Sequence, residues 1–478
     1  MNHVANLAEL NQAQLLDVVQ QLLAEIAQLR DENARLRAEN EQLKRKQARS
    51  AAPFSKHKRK KNPQRPGRKA GQGEFQHRPA PAEEEYSAPP EEVPVNETVC
   101  PACGGDLIEE APEIVTNTDL PPTPKPVVKA YRIHIRSCCR CPRKVRGQHP
   151  EVAPDQLGAT AHRVGPRAQA AAHLLHHDDG IPVRKVPGVM KTLSGLSLTQ
   201  SAITQSALRL GTGDGPVAHR YEQLREKAKE QEAINTDDTG WRIGGSPAQL
   251  MVFDSQTQSV YQIRAQHRNE EVREVIGDHY QGVLCTDRGK SYDAKELQEV
   301  KQQKCLSHIL RSIEEVLAGK RGQARFFGEV LKAQLQEAIE LYKAFHDPES
   351  KLRDYDKAVR ALALAVSDHL RERRLKDPDN QRLLNELRRH HERGNLLRFL
   401  DEPTTVEPTN NAAERALRPA VIARKVSHCS KNDQGAAAFS AFKSVIRTLK
   451  KGGGNLLEHL TRLIDPSPPP ATASSAIT

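Results

Sequence analysis

Three acidic residues stand where short apolar runs end or a helical run begins. Asp237 closes Ile234-Asn235-Thr236-Asp237, Asp287 closes Val283-Leu284-Cys285-Thr286-Asp287, and Glu414 sits in Asn410-Asn411-Ala412-Ala413-Glu414-Arg415. A carboxylate at the carboxyl end of a strand in a parallel or mixed sheet is open to metal and substrate. Three of them converging there can hold two divalent cations about 4 Å apart, one activating the attacking oxygen of a phosphodiester and one stabilising the leaving oxygen. An Asp at a strand end is also an ordinary turn residue. Spacing alone favours that plainer reading.

Cysteines form the second group. Five of the eight fall between Cys100 and Cys141. Cys100-Pro101-Ala102-Cys103 and Cys138-Cys139-Arg140-Cys141 each bring two thiolates close enough to share a tetrahedral Zn2+, and Gly104 and Gly105 suit a tight knuckle. The pairs are 34 residues apart, so a hairpin or loop must bring them together. Cys139 is a spare, and a register using it in place of Cys138 stays open. The expectation is a structural zinc held by Cys100, Cys103, Cys138 and Cys141 rather than unliganded thiols. Four filled positions fold a small module and leave no room for catalysis.

These groups need rigid elements behind them. Strand-like runs cover Ala233–Asp237, Gln249–Phe253, Ser259–Ile263 and Gly282–Cys285, with a helical stretch at Glu270–Ile276. From Leu306 to Leu400 the pattern is helical. Leu331, Leu335, Ile339 and Tyr342 mark one apolar stripe, and Leu352, Tyr355, Val359, Leu362 and Val366 another. Residues 165–210 also read as helices, either a helix-turn-helix or packed scaffold, with Ser197 or Thr199 as an N-cap.

The N-terminal part is of another kind. Leu15, Leu22, Leu29, Leu36 and Leu43 recur every seven residues, with Val19, Ile26, Asn33 and Asn40 at the alternate core positions. That pattern predicts a parallel two-stranded coiled coil, in preference to an amphipathic helix lying on its own domain. The net charge of +11 resides in one arm: Lys44 to Gly73 holds 12 Lys or Arg and no acid, which leaves 60 basic against 61 acidic residues elsewhere. Lys58, Arg59, Lys60, Lys61, Arg65, Arg68 and Lys69 would attract DNA through counterion release; the same composition also suits a solvated linker. A basic-zipper factor has its basic helix before the zipper. Here the basic run follows it and is broken by Pro53, Pro63, Pro66 and Gly67, which argues against that class. No apolar run reaches membrane-spanning length, and no secretory signal is visible. A cytoplasmic, nucleoid-associated protein is expected.

Several of these stretches together resemble a known family. Asp237-Asp238-Thr239-Gly240-Trp241-Arg242, the run from Thr286 to Asp293, and Cys305-Leu306-Ser307-His308 are similar to bacterial insertion-sequence transposases. The most specific stretch is Asn410-Asn411-Ala412-Ala413-Glu414-Arg415-Ala416-Leu417-Arg418-Pro419, continuing into Arg424-Lys425, as in the insertion sequence sixty-six family of DDE transposases. Zipper, basic Pro-Gly-Arg-Lys arm and Cys-pair module come in the family's order, so the resemblance covers about residues 7–460. It implies a ribonuclease-H-like catalytic domain in which Asp237, Asp287 and Glu414 hold Mg2+ or Mn2+. The 126 residues between Asp287 and Glu414 then accommodate a helical insertion. Asp238 stands where the family usually has Glu, and Leu306 and Ile309-Leu310 depart from its pattern, as in a divergent branch. His308 reads either as a neighbour of the metal site or as a packing residue. Arg415 and Arg418 read as phosphate contacts, or Arg418 as an i,i+4 partner of Glu414.

The expected architecture is multidomain α+β. It comprises a coiled coil at 7–46, a basic DNA-binding arm at 47–78, a Pro/Glu-rich linker at 79–97, a zinc module at 98–150 and a helical DNA-binding region at 160–225. A ribonuclease-H-like domain follows at 230–460 with an insertion at about 306–400, and then a disordered tail at 465–478. The expected function is a DNA transposase that binds element ends and performs metal-dependent cleavage and 3′-OH strand transfer, with no covalent protein intermediate. Expected partners are the element ends, target DNA, a second copy through the zipper and accessory proteins of the same element, with no membrane. Two alternatives are a catalytically silent DNA-binding regulator, against which the intact triad argues, and a metal-dependent nuclease, which needs neither zipper nor end-binding modules.

Overall fold

A computed structural model describes residues 16, 19, 20, 22–36, 81–108, 111–118, 125–152, 156–158, 161–350, 352–427 and 429–465. Residues 22–36 are helical, and Val19, Leu22, Ile26, Leu29 and Leu36 stand exposed. Leu15, Asn40 and Leu43, the arm residues Lys58, Arg59, Lys60, Lys61, Arg65, Arg68 and Lys69, and the tail from 466 lie outside the described residues. Between 81 and 152 the main regular element is a hairpin of β1 (Ile135–Ser137) and β2 (Lys144–Arg146).

Four helices lead to the sheet: α1 (Pro166–His177), α2 (Val186–Ser194), α3 (Gln200–Gly211) and α4 (Pro216–Ala228). Pro falls in the first turn of α1, α2 and α4, where its missing N–H costs nothing. Thr199 caps α3, its hydroxyl accepting the Ala202 N–H at 3.1 Å. The sheet itself contains β3 (Ala233–Ile243), β4 (Ser246–Asp254), β5 (Ser259–Arg264), β6 (Val283–Thr286) and β7 (Lys301–Lys304), in the order β5-β4-β3-β6-β7. The first three pair antiparallel, while β6 and β7 join parallel to β3. α5 (Asn269–Ile276) connects β5 to β6.

Both sheet faces are covered, so apolar residues occupy alternate and intervening positions alike. On one face Ile234, Met251, Phe253, Val260 and Leu284 pack with Ala170, Leu210, Tyr221 and Leu224 of the preceding helices. Phe442, Val445 and Ile446 of α12 (Asp433–Lys451) complete that core, and α13 (Leu456–Ile464) flanks it. Thus α1, α3 and α4 share a core with the sheet. The other face, with Trp241, Leu250, Val252, Tyr261 and Ile263, is covered by α11 (Asn411–Ser427). Between β7 and α11 lie α6 (Leu306–Leu317), α7 (Gly322–His346), α8 (Tyr355–His369), α9 (Pro378–Glu392) and α10 (Arg398–Asp401). They close a second core against Val283 and Cys285 of β6. Among the described residues no helix is long and apolar enough to cross a membrane.

Two strand boundaries differ from the sequence-based expectation. β3 does not end at Asp237 but runs on to Ile243, because β4 pairs with it through Asp237↔Val252 as far as Ile243↔Ser246. Asp-Asp-Thr-Gly has turn composition, yet a long hairpin partner overrides it. β7 has no counterpart in the sequence pattern, since Lys301-Gln302-Gln303-Lys304 lacks apolar alternation. The NH2 groups of its buried amides find tertiary acceptors: Gln302 Nε2 donates to Tyr292 O at 2.8 Å and Gln303 Nε2 to Leu396 O at 3.0 Å.

Candidate active site

The candidate site forms where the parallel ladder between β3 and β6 stops. Its last register pair is Asn235↔Cys285. Beyond that point β3 continues alone with β4 and carries Asp237 on the face that also bears Trp241. β6 ends at Thr286, and Asp287 begins the loop that follows. α11 crosses this face on a stripe of small residues, Ala413, Ala416, Ala420 and Ala423, all buried with Leu417. Alanine lets the helix axis approach the sheet closely. Tyr261 pins it there, its hydroxyl donating to Ala416 O at 2.7 Å. Glu414, in the first turn of α11, thereby points out over the corner occupied by the two aspartates.

Asp237, Asp287 and Glu414 are close enough for the other two to act on Asp237. Its carboxyl is pushed up to about 6, first by burial and then by the negative charge of Asp238, Asp287 and Glu414, against an opposing hydrogen bond from the Asp238 N–H. That hydrogen bond reaches Oδ1 at 2.9 Å. Asp287 Oδ1 accepts the Gly289 N–H at 2.7 Å. A side chain at 289 would put its Cβ 2.9 Å from that same oxygen and push the Asp287 carboxylate from its place. Among the described residues no donor reaches Oδ2 of either aspartate.

Other side chains fix this corner. Asn410, buried, donates from Nδ2 to Thr236 O at 2.7 Å, and its own N–H reaches Cys305 Sγ at 3.2 Å. One residue thus ties the start of α11 to the strand of Asp237 and to the end of β7. Arg424, near the other end of α11, donates to Thr239 Oγ1 at 3.0 Å and to Gly240 O. His308 Nε2 lies 3.9 Å from Glu414 Oε1. Contact with the Cys305 thiol raises the proton affinity of His308, partly offset by burial. For Cys305, burial alone would raise the thiol, but His308 and the Asn410 N–H outweigh it and hold it below its usual value. Asp238 turns to His267, whose Nδ1 is 3.0 Å from Oδ1. The His267 ring stands edge-on to Tyr292 at 5.2 Å. Arg415 and Arg418 are exposed, and among the described residues neither forms an ion pair with Glu414.

Spacing and residue type alone assign no role to His267, Tyr292, Asn410 or Arg424. Asn410 and Arg424 stand inside one family-like motif, and Tyr292 in another. His267 follows β5 in a polar loop and carries no signal.

The two cysteine pairs are built alike. Val99 bridges Asp106 around Cys100 and Cys103, and Gly104 takes φ 74° in that turn. Ser137 pairs with Lys144 around Cys138 and Cys141, with the Cys138 N–H on Arg143 O at 2.9 Å. Backbone N–H groups and the partner thiol hold Cys100 below the usual thiol range, through Ala102 and Cys103. Cys138 is held down likewise, through Arg140 and Cys141. Among the described residues no three His, Cys, Asp or Glu side chains close on one point as a metal set. Asp237 feels the charge of Asp287 and Glu414 without the three closing into one such set.

Residues 162–438, from just before α1 into α12, match the family described as Transposase IS66 family. A comparison with curated proteins finds no match. The family match defines a transposase, an enzyme class that acts on DNA. The match spans more than half of the sequence, and the chain belongs to the IS66 family of transposases.

Proposed function

We propose that the protein cuts the ends of an insertion sequence and joins the freed 3′-OH to target DNA, using Asp237, Asp287 and Glu414 as one catalytic centre on a ribonuclease-H-like sheet. The observation that carries this reading is the burial of Asp237 at the β3–β6 corner within the field of Asp238, Asp287 and Glu414, which together lift it to about 6. The three side chains offer hard oxygen donors and uncompensated negative charge, the environment that suits Mg2+ or Mn2+. Asp237 and Asp287 each keep Oδ2 clear of donors, which supports the same fit. When bound, such cations activate the attacking oxygen and neutralise charge on the leaving one.

The chain's own residues then have separable tasks. Asp237 and Asp287 hold their oxygens on rigid backbone, and α11 brings Glu414 over them. Arg415 and Arg418, exposed beside Glu414, hold phosphates of the DNA strand. His308 keeps a proton beside Glu414. Cys100, Cys103, Cys138 and Cys141 hold one structural zinc, each pair presented by a similar turn. The arm with Lys58, Arg59, Lys60, Lys61, Arg65, Arg68 and Lys69 supplies phosphate contacts that position the protein on element ends. Leu22 and Leu29, exposed with Ile26, pair with a second copy. That arrangement matches an element with two ends.

The test is cleavage and joining on DNA carrying the element's ends, with Mg2+ or Mn2+, comparing the parent with Glu414→Gln. Nicking and joining by the parent and loss of both in the variant, with DNA affinity kept, are expected. Cleavage that survives the substitution would remove Glu414 from the centre. End-binding without cleavage by the parent would favour a silent DNA-binding regulator, and cleavage without joining a nuclease.

A further inference from the structure

Asp293 closes the motif that opens at Asp287, and the catalytic reading leaves it without a task. Its carboxylate sits among basic side chains. Lys304 Nζ, on β7 and fully buried, lies 3.1 Å from Oδ1. The same ammonium donates to Thr286 Oγ1 at 3.3 Å, on the residue preceding Asp287. Arg389 Nη2 and His390 Nε2, both on α9, lie 3.5 and 3.9 Å from Oδ2. At the opposite end of the loop Arg288 Nη1 reaches Glu386 Oε1, again on α9, at 3.0 Å. Arg288 also bonds Ser312 on α6.

Glu386, Arg389 and His390 are spaced i, i+3 and i+4, so one face of α9 meets both ends of the 287–293 loop. His390 is fully buried, and neither ring nitrogen has a hydrogen-bond partner. A buried imidazole left unmatched is costly, and its retention beside Asp293 marks a junction held by packing. Locally, the Gly289 N–H bonds Asp287 Oδ1, the Thr286 hydroxyl donates to Asp287 O at 2.7 Å and the Tyr292 N–H to Gly289 O at 3.1 Å. The long-range restraint on the loop comes from α9, α6 and Lys304.

We propose that α9 of the helical insertion positions Asp287 by gripping Arg288 and Asp293, so that the seating of the insertion sets the metal affinity of the catalytic centre. Glu386, Arg389 and His390 act here as positioning residues. The proposal rests on reading Asp287 as a metal ligand. Displacing a catalytic group by about 1 Å costs on the order of 10²-fold in rate, so a small shift of α9 is enough to matter.

The experiment uses the full-length protein without DNA and reads two quantities. Amide hydrogen exchange of the 287–293 segment reports whether the loop is held, and paramagnetic titration with Mn2+ reports the centre's affinity. Glu386→Arg should speed exchange in the loop and weaken Mn2+ binding about tenfold, the scale of a sub-ångström displacement. Pairing it with Arg288→Glu should restore both, which a merely structural loss would not. Arg389→Met tests the Asp293 end, and Glu386→Gln serves as the milder variant should the charge reversal not fold. Unchanged loop exchange in Glu386→Gln and Arg389→Met would overturn the proposal. So would a loosened loop with unchanged Mn2+ affinity. A parent protein that binds no Mn2+ would overturn the metal reading and this inference with it. The exchange data would still tell that failure from a loop that α9 never held.

Discussion

Asp237 and Asp287 each lie two residues beyond Asn235 and Cys285, the last register pair of the parallel ladder between β3 and β6. Adjacent strands run about 4.8 Å apart, so two acids level with one another at the seam are forced into each other's field. Glu414 arrives over them on α11, 127 residues further along the chain than Asp287. The repulsion that results is the physical signature of the site, and it has consequences that can be measured without any DNA.

Asp237 takes up its proton more readily in the folded protein, at about 6, than the ordinary carboxyl value of 3.8. Its contribution to stability is therefore fully present below pH 4 and is lost as pH rises through 6. In chelator at pH 7.5, Asp237→Asn should be more stable than the parent, by up to about 3 kcal/mol. Its thermal midpoint should also vary less between pH 4 and 7. Mg2+ at a hundredfold excess over Kd should stabilise the parent by about 2.7 kcal/mol, raising its midpoint, and leave the variant nearly unmoved. A variant no more stable than the parent in chelator would show that charging the buried Asp237 carboxyl is not a dominant cost.

Asn410 joins α11, β3 and the Cys305 turn through two buried hydrogen bonds. Asn410→Ala leaves Thr236 O without its donor, a loss of about 1–3 kcal/mol, and should raise the Mg2+ concentration needed for cleavage. Asn411→Ala, one residue on and exposed, should stay within about 0.5 kcal/mol of the parent. Equal midpoints for the two variants in thermal unfolding would remove Asn410 from its structural role.

The paired thiols lead to a stoichiometry. Zinc release on thiol titration should yield one Zn2+ per chain, kept in Cys139→Ser and lost in Cys103→Ser and Cys141→Ser. Structural zinc in such modules contributes on the order of 10 kcal/mol of folding free energy, so chelation should make residues 98–150 sensitive to protease. Loss of the metal in Cys139→Ser would mean that the spare cysteine, and not Cys138, completes the second pair.

The exposed stripe of Leu22, Ile26 and Leu29 predicts self-association. Light scattering should give a dimer for the parent and a monomer for the double variant Leu22→Glu, Leu29→Glu. A parent that is already monomeric, or a variant that stays dimeric, would detach the zipper from end pairing.

Much of this protein is legible along the chain. Local chemistry places the strands around Gln249–Phe253 and Ser259–Ile263, the helices from Leu306 onward and the Thr199 cap, because periodicity and capping act over a few residues. The stretch around Glu414 points by itself to a transposase family. What the chain alone leaves undecided are the partners. Asp-Asp-Thr-Gly at 237–240 has turn composition, and only β4 makes it strand. Lys301-Gln302-Gln303-Lys304 has no apolar rhythm, and partners elsewhere in the chain, Thr286, Tyr292, Asp293, Leu396 and Phe399 among them, supply the bonds that let it be buried. Asn410 and Thr236 are 174 residues apart in sequence, and Arg288 and Glu386 are 98 apart. Pairings over such distances depend on how several packed elements meet, and no local pattern records them.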